Sequence, residues 1–243
     1  MAVRVFDQLT RFLAEHLYLS ANIVSLPLVV IFFASARKDQ RMVMIVSGIS
    51  AGSLCFTPLL QTEFMAYWKP QRIGGGYIGI EDFVFLFQFG ASTWFLAQAP
   101  FQGNLRCELQ PGRVIAGAGV FVSIGALLLV GLQRLGFNFT TASLLAPVAF
   151  IFLLLLWQRH LWRIALAASL GQTALYALLI KFCSWLWPGF LAQWDLHWRA
   201  DVVTASTIGG IPALELAWAL VFAPAHAMII AYLVHIKWRR HRL

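Results

Sequence analysis

Apolar runs of roughly the 17 to 25 residues that cross a bilayer recur seven times along this chain, bounded by charge or by Pro and Gly. They cover about Leu17 to Ala34, Met42 to Gln61, Tyr77 to Ala97, Val114 to Leu132, Thr141 to Trp157, Ile164 to Leu186 and Ile208 to Ile236. In lipid every backbone polar group must be satisfied within its own segment, so runs of this kind predict helices. With 60% of residues hydrophobic and 12% charged, against about 25% charged in a soluble domain, the chain is expected to be an all-α integral membrane protein.

The formal charge is +8, but the basic residues sit beside apolar runs, which suits membrane topology better than nucleic acid. One set of alternate loops holds 11 Lys and Arg, among them Arg37, Lys38, Arg41, Arg159 and Lys237, and the other set holds 7. The richer side is predicted to be cytoplasmic, which puts the N-terminus outside and the C-terminus inside a cell (inner) membrane. The first residues, with Arg4, Asp7, Arg11 and Glu15 among apolar neighbours, read as an amphipathic lead-in on the membrane surface rather than a signal peptide. Cys55, Cys107 and Cys183 are isolated. They indicate neither a disulfide framework nor a zinc site.

The same proline spacing appears twice. Val24-Ser25-Leu26-Pro27 in the first run aligns with Leu144-Leu145-Ala146-Pro147 in the fifth, and the Gly-rich openings of the third and seventh runs align at an offset of 133. The predicted architecture is therefore two parallel three-helix repeats, at about 17-98 and 140-236, joined by a linker helix at about 113-133.

The third and seventh runs carry the candidate site. Gly79-Ile80-Glu81-Asp82 places two carboxylates about one turn into the third run, and Pro212-Ala213-Leu214-Glu215 places one in the seventh. Ionisable groups inside a span cost about 2.5 to 3.5 kcal/mol each on insertion scales, and by default they mark function. Helical spacing puts Glu81 on a face with Phe85 and Gln88, turns Asp82 toward Phe85, Leu86 and Phe89, and aligns Glu215 with Trp218, Phe222 and His226. One of the paired acids is expected to face the bundle interior and the other to bond a loop or helix end. Desolvation disfavours the charged form of a carboxyl, so an acid in such a pocket suits proton donation to a weakly basic group. The 20 Phe and 10 Trp of the chain are numerous enough to line an interior where aromatic faces stabilise a cation. Trp194 to Arg199 reads as an interfacial belt, with a lid over the pocket as the alternative. Gly74 to Gly76 is no dinucleotide fingerprint, since no strand precedes it.

These residues resemble the membrane-integral lycopene cyclase family, whose two parallel repeats each carry Pro-x-Glu-Glu or Pro-x-Glu-Asp followed by aromatic residues. The likeness rests on Gly79 to Phe85, Gly209 to Glu215, Ser25-Leu26-Pro27 and Phe56-Thr57-Pro58. Gly79, Leu214 and Leu60 depart from the pattern, and the last two remove an acid each. The resemblance implies a redox-neutral isomerase (an intramolecular lyase) that protonates the end of a linear carotenoid and closes a ring. Glu81 is then the general acid, with Asp82 and Glu215 completing the catalytic set, and Phe85, Gln88, Phe89, Trp218, Phe222 and His226 contact the substrate. Neither cofactor nor metal is implied. The expected partners are an apolar polyene or other lipid-like ligand and membrane lipids, with room for a partner membrane subunit or a homo-oligomer, and no nucleic acid. Two other functions fit the pattern: a non-catalytic pigment-, quinone- or lipid-binding subunit, and a small-solute transporter of the same three-plus-one-plus-three topology.

Overall fold

A computed structural model describes residues 2–56, 71–75, 78–192 and 206–238, with side chains described from residue 7 onward. Those residues hold eight α-helices: α1 (Ala2–Glu15), α2 (Leu17–Ser35), α3 (Lys38–Ser53), α4 (Ile80–Gln98), α5 (Pro111–Arg134), α6 (Phe139–Trp157), α7 (Trp162–Leu186) and α8 (Ala213–Leu233). Helices α2, α5, α6, α8 and the stretch Arg159–Leu186 that contains α7 are long and apolar enough to cross a membrane. The chain is an all-α, multi-pass membrane protein.

Among the described residues five such helices stand where seven were expected, and α3 and α4 are the two not among them. Helix α3 has 16 residues and continues as a 3-10 turn over Leu54–Phe56. The remainder of that expected span, with Thr57, Pro58, Leu60 and Gln61, lies outside the described residues. Helix α4 has the length but is more polar, because it is the central helix: 12 of its 19 residues are buried, Gln88, Ser92, Thr93 and Gln98 among them. A helix sheathed by protein needs no lipid-facing stripe.

Its polar groups tie α4 to its neighbours. Trp94 Nε1 donates to Gln40 Oε1 of α3 at 3.0 Å. Ser92 Oγ donates to Gln172 Oε1 of α7 at 3.1 Å, and Ser25 Oγ of α2 donates to Gln88 Oε1. In a membrane such bonds contribute about 0.6 to 2 kcal/mol each. Small residues bring α3 and α4 into close approach. A Cβ on Gly48 would lie 2.7 Å from the Phe87 ring, and one on Gly90 would lie 2.6 Å from the Ser47 carbonyl oxygen. Helix α8 packs on both α7 and α6. Helix α5 is peripheral; Phe121 is its one buried residue, and Ile115 and Leu127 stay 75% and 72% exposed on an apolar outer face.

Two short antiparallel pairings close the ends. Strand β1 (Leu105–Cys107), after α4, pairs with β4 (Ile236–Trp238), after α8. Strands β2 (Thr207–Ile208) and β3 (Ile211–Pro212) form a hairpin at the entrance of α8. Gly209 and Gly210 make its turn with φ of +60° and +77°, the two left-handed residues that a type I′ hairpin requires.

Candidate functional site

The first turn of α4 is fastened to the loop before it. Arg72 and Gly75 close a turn through Gly75 N–H to Arg72 O at 3.0 Å, which aims the Arg72 side chain at the helix start. Asp82, the third residue of α4, accepts the Gly79 N–H at 2.7 Å and satisfies one of the donors that helices leave open at that end. Its two oxygens also take the guanidinium of Arg72, Nε at 2.6 Å and Nη2 at 2.9 Å. Both side chains are nearly buried, at 4% and 10% exposure. Burial tends to lower the pKa of an arginine, but here the hydrogen bond and charge of Asp82 outweigh it and hold Arg72 above its ordinary value.

Glu81 is placed differently. Its Oε1 accepts the Ile73 N–H at 2.8 Å, and its carboxyl folds back over Gly79, where a Cβ would overlap it. The backbone at Gly79, with φ −112° and ψ 167°, suits any residue, so glycine is there for the room it leaves. Both acids of the pair thus bond the preceding loop, where one alone was expected to do so.

Glu215 is likewise the third residue of its helix and is buried at 5% exposure, and a neutral phenol is among its partners. Tyr176 Oη, on the buried face of α7, donates to Glu215 Oε2 at 2.7 Å. Along α8 the rings then stack: Trp218 on Phe222 at 5.1 Å with 13° between planes, and Phe222 on His226 at 6.1 Å with 6°. Phe89 backs this column, 4.8 Å from Trp218 and 5.9 Å from Phe222.

These groups line one large cleft of about 970 Å³ between α3, α5, α6 and α8. Asp82, Glu215, Tyr18, Thr140 and Tyr176 gather toward the end where α4 and α8 begin, and the lining continues to Leu233 at the far end of α8. From Leu214 to Leu233 at 1.5 Å per residue the lined face of α8 runs about 28 Å, close to the thickness of a bilayer core.

Of the expected site residues, the cleft brings together Asp82, Glu215, Phe85, Trp218, Phe222 and His226. Glu81, Gln88 and Phe89 are not on its wall. Gln88 and Phe89 instead face a separate cavity of about 30 Å³ with Ser25, Ser92 and Gln172. Tyr176 borders both spaces and was not foreseen. Gln172 and Tyr176, one turn apart in an apolar run, were the available signal for a polar face. Thr140 also lines the cleft, with a buried hydroxyl that has no hydrogen-bond partner among the described residues. The segment Trp194 to Arg199, read as a belt or lid, lies outside the described residues. Among the described residues no cluster of three or more His, Cys, Asp or Glu could hold a metal ion.

Comparisons with known protein families, with curated proteins and with solved structures gave no match for this chain.

Proposed function

We propose that the protein is a membrane-embedded, lycopene cyclase-like isomerase in which Glu215 protonates the terminal double bond of a linear carotenoid or related isoprenoid. The observation that carries this reading is Glu215 buried at one end of a bilayer-length apolar cleft beside a stacked aromatic column. A proton from Glu215 adds to one carbon of the end double bond and leaves a cation on the other. The next double bond of the chain closes on that cation, which forms the ring and moves the positive charge onto it. The Glu215 carboxylate then removes a proton from a neighbouring carbon, so donor and acceptor are one group and no electrons leave the molecule.

Tyr176 Oη donates to Oε2 and so orients the carboxyl that gives up the proton. Trp218, Phe222 and Phe85 line the same wall and favour the cation by about 0.5 to 2 kcal/mol per face. In this reading Asp82 shapes the acid end and Glu81 anchors the loop behind it. The protein sits in a cell (inner) membrane with its N-terminus outside, the acids lie in the extracytoplasmic half, and substrate enters laterally from lipid.

The second reading, a non-catalytic pigment-, quinone- or lipid-binding subunit, is favoured by one observation: Asp82, one of the two acids on the cleft, is occupied by Arg72 and Gly79. A small-solute transporter suits the cleft poorly, since its wall is mostly aliphatic and aromatic. The test is expression in cells that accumulate lycopene, with pigments separated by chromatography. A cyclised carotenoid supports the enzyme; lycopene retained unchanged by well-inserted protein supports the binding subunit.

A further inference from the structure

His226 sits about halfway along the cleft and is 5% exposed. Its hydrogen bonds determine which ring nitrogen carries the proton. Ser47 Oγ donates its one hydrogen to the Gly90 carbonyl at 2.6 Å. The two atoms facing His226 Nε2 are that same Oγ at 2.9 Å and the Ser47 carbonyl oxygen at 3.2 Å. Both can only accept, so Nε2 holds the hydrogen, and in the neutral ring the lone pair lies on Nδ1. The hydrogen bonds of His226 among the described residues are both at Nε2, which leaves Nδ1 without one, and the residue lines the cleft. Ser47 itself is clamped by the close approach of α3 to Gly90, so the tautomer is built into the packing of α3 on α4.

We infer that His226 is a specificity-determining acceptor, which selects an elongated apolar ligand carrying one hydroxyl about 16 Å from the end that lies at Glu215, the axial rise over the 11 residues between them. The inference rests on reading the cleft as the ligand site. A hydrocarbon leaves Nδ1 without a partner, and a quinone or aldehyde presents a second acceptor to it. An alcohol supplies the missing donor. The hydroxyl does not take part in ring closure; it sets the depth to which the chain enters and so places its far end at the acid.

The probes are geranylgeraniol and its methyl ether, which has the same chain and an oxygen that cannot donate. Binding to the purified chain in lipid nanodiscs is measured by calorimetry, and the tautomer by ¹⁵N NMR of protein labelled at histidine. The expected result is about tenfold tighter binding of the alcohol, a factor that corresponds to about 1.4 kcal/mol. His226→Phe is expected to abolish the preference while the ether binds as before, and the His226 signals are expected to report Nε2–H. If that variant does not fold, the wild-type ratio and tautomer decide alone. Equal affinity for the two probes, or an Nδ1–H tautomer, overturns the inference. Failure of both probes to bind also overturns it; if lycopene is nonetheless cyclised the cleft reading stands, and if it is not, both fall together.

Discussion

The first turns of α4 and α8 are built on one plan and end in different chemistry. Each places a buried carboxylate at the third helical position, Asp82 in one and Glu215 in the other, and the offset of 133 that aligns the two stretches pairs these residues. Each carboxylate borders the same cleft. Asp82 is gripped by a guanidinium and a backbone N–H, whereas Glu215 meets a phenol. A carboxylate gripped on both oxygens by a guanidinium is fixed in position by two charge-assisted bonds, which suits a structural post. One bonded to a tyrosine hydroxyl meets a neutral donor there, which suits the proton transfer proposed for it. The difference lies less in the acids than in what the neighbouring segment brings: a loop arginine before α4, a glycine hairpin and an α7 tyrosine around α8.

The largest effect that would break this division is on turnover. Glu215→Gln is expected to lower cyclisation at least 100-fold, within the 10² to 10⁴ range that general acids contribute, with an unchanged melting temperature in detergent. Next comes folding. Arg72→Met removes the partner of a buried carboxylate and is expected to destabilise the protein by about 3 to 5 kcal/mol, measured by denaturation in mixed micelles. A destabilisation below about 1 kcal/mol, the range of exposed pairs, would place Asp82 in a wetter setting than its 10% side-chain exposure indicates.

Tyr176→Phe sharpens the comparison on the other side. It removes one hydrogen bond to a buried acid, for which about 1 to 3 kcal/mol is expected, and it should also shift the pH profile of cyclisation, which a purely structural tyrosine would not do. The smallest effect belongs to an ion pair outside the spans. Glu108, bonded by Lys237 Nζ at 2.7 Å, is exposed, and its pKa is lowered by that bond, with desolvation opposing it. A depressed carboxylate stabilises above its unfolded pKa, and that contribution is lost as pH falls through the folded value. Glu108→Gln should therefore change stability only slightly, above the carboxylate range and in low salt, and its effect should vanish in high salt.

Helical period in the sequence was enough to align Glu215, Trp218, Phe222 and His226 on one face, because that alignment is internal to one helix. The membrane class was equally legible, since it follows from long apolar runs. Less legible was the placement of the Glu81-Asp82 pair, of which Asp82 borders the cleft and Glu81, expected as the general acid, does not. Which of the two borders the cleft depends on where Arg72 and the Ile73 N–H sit, and that is set by a turn at Gly75. Tyr176 was missed for a similar reason, as its bond to Glu215 crosses 39 positions of chain. The polar residues of α4 set it apart from the more apolar spans, because protein surrounds much of this helix.

The most direct measurement is a side-by-side pigment analysis of lycopene-accumulating cells expressing the wild type, Glu215→Gln and Glu81→Gln at equal membrane levels. A cyclised product from the wild type and from Glu81→Gln, but none from Glu215→Gln, is the expected outcome. Product that survives Glu215→Gln, or lycopene left unchanged by the wild type, would contradict the assignment of Glu215 as the proton donor of the cleft.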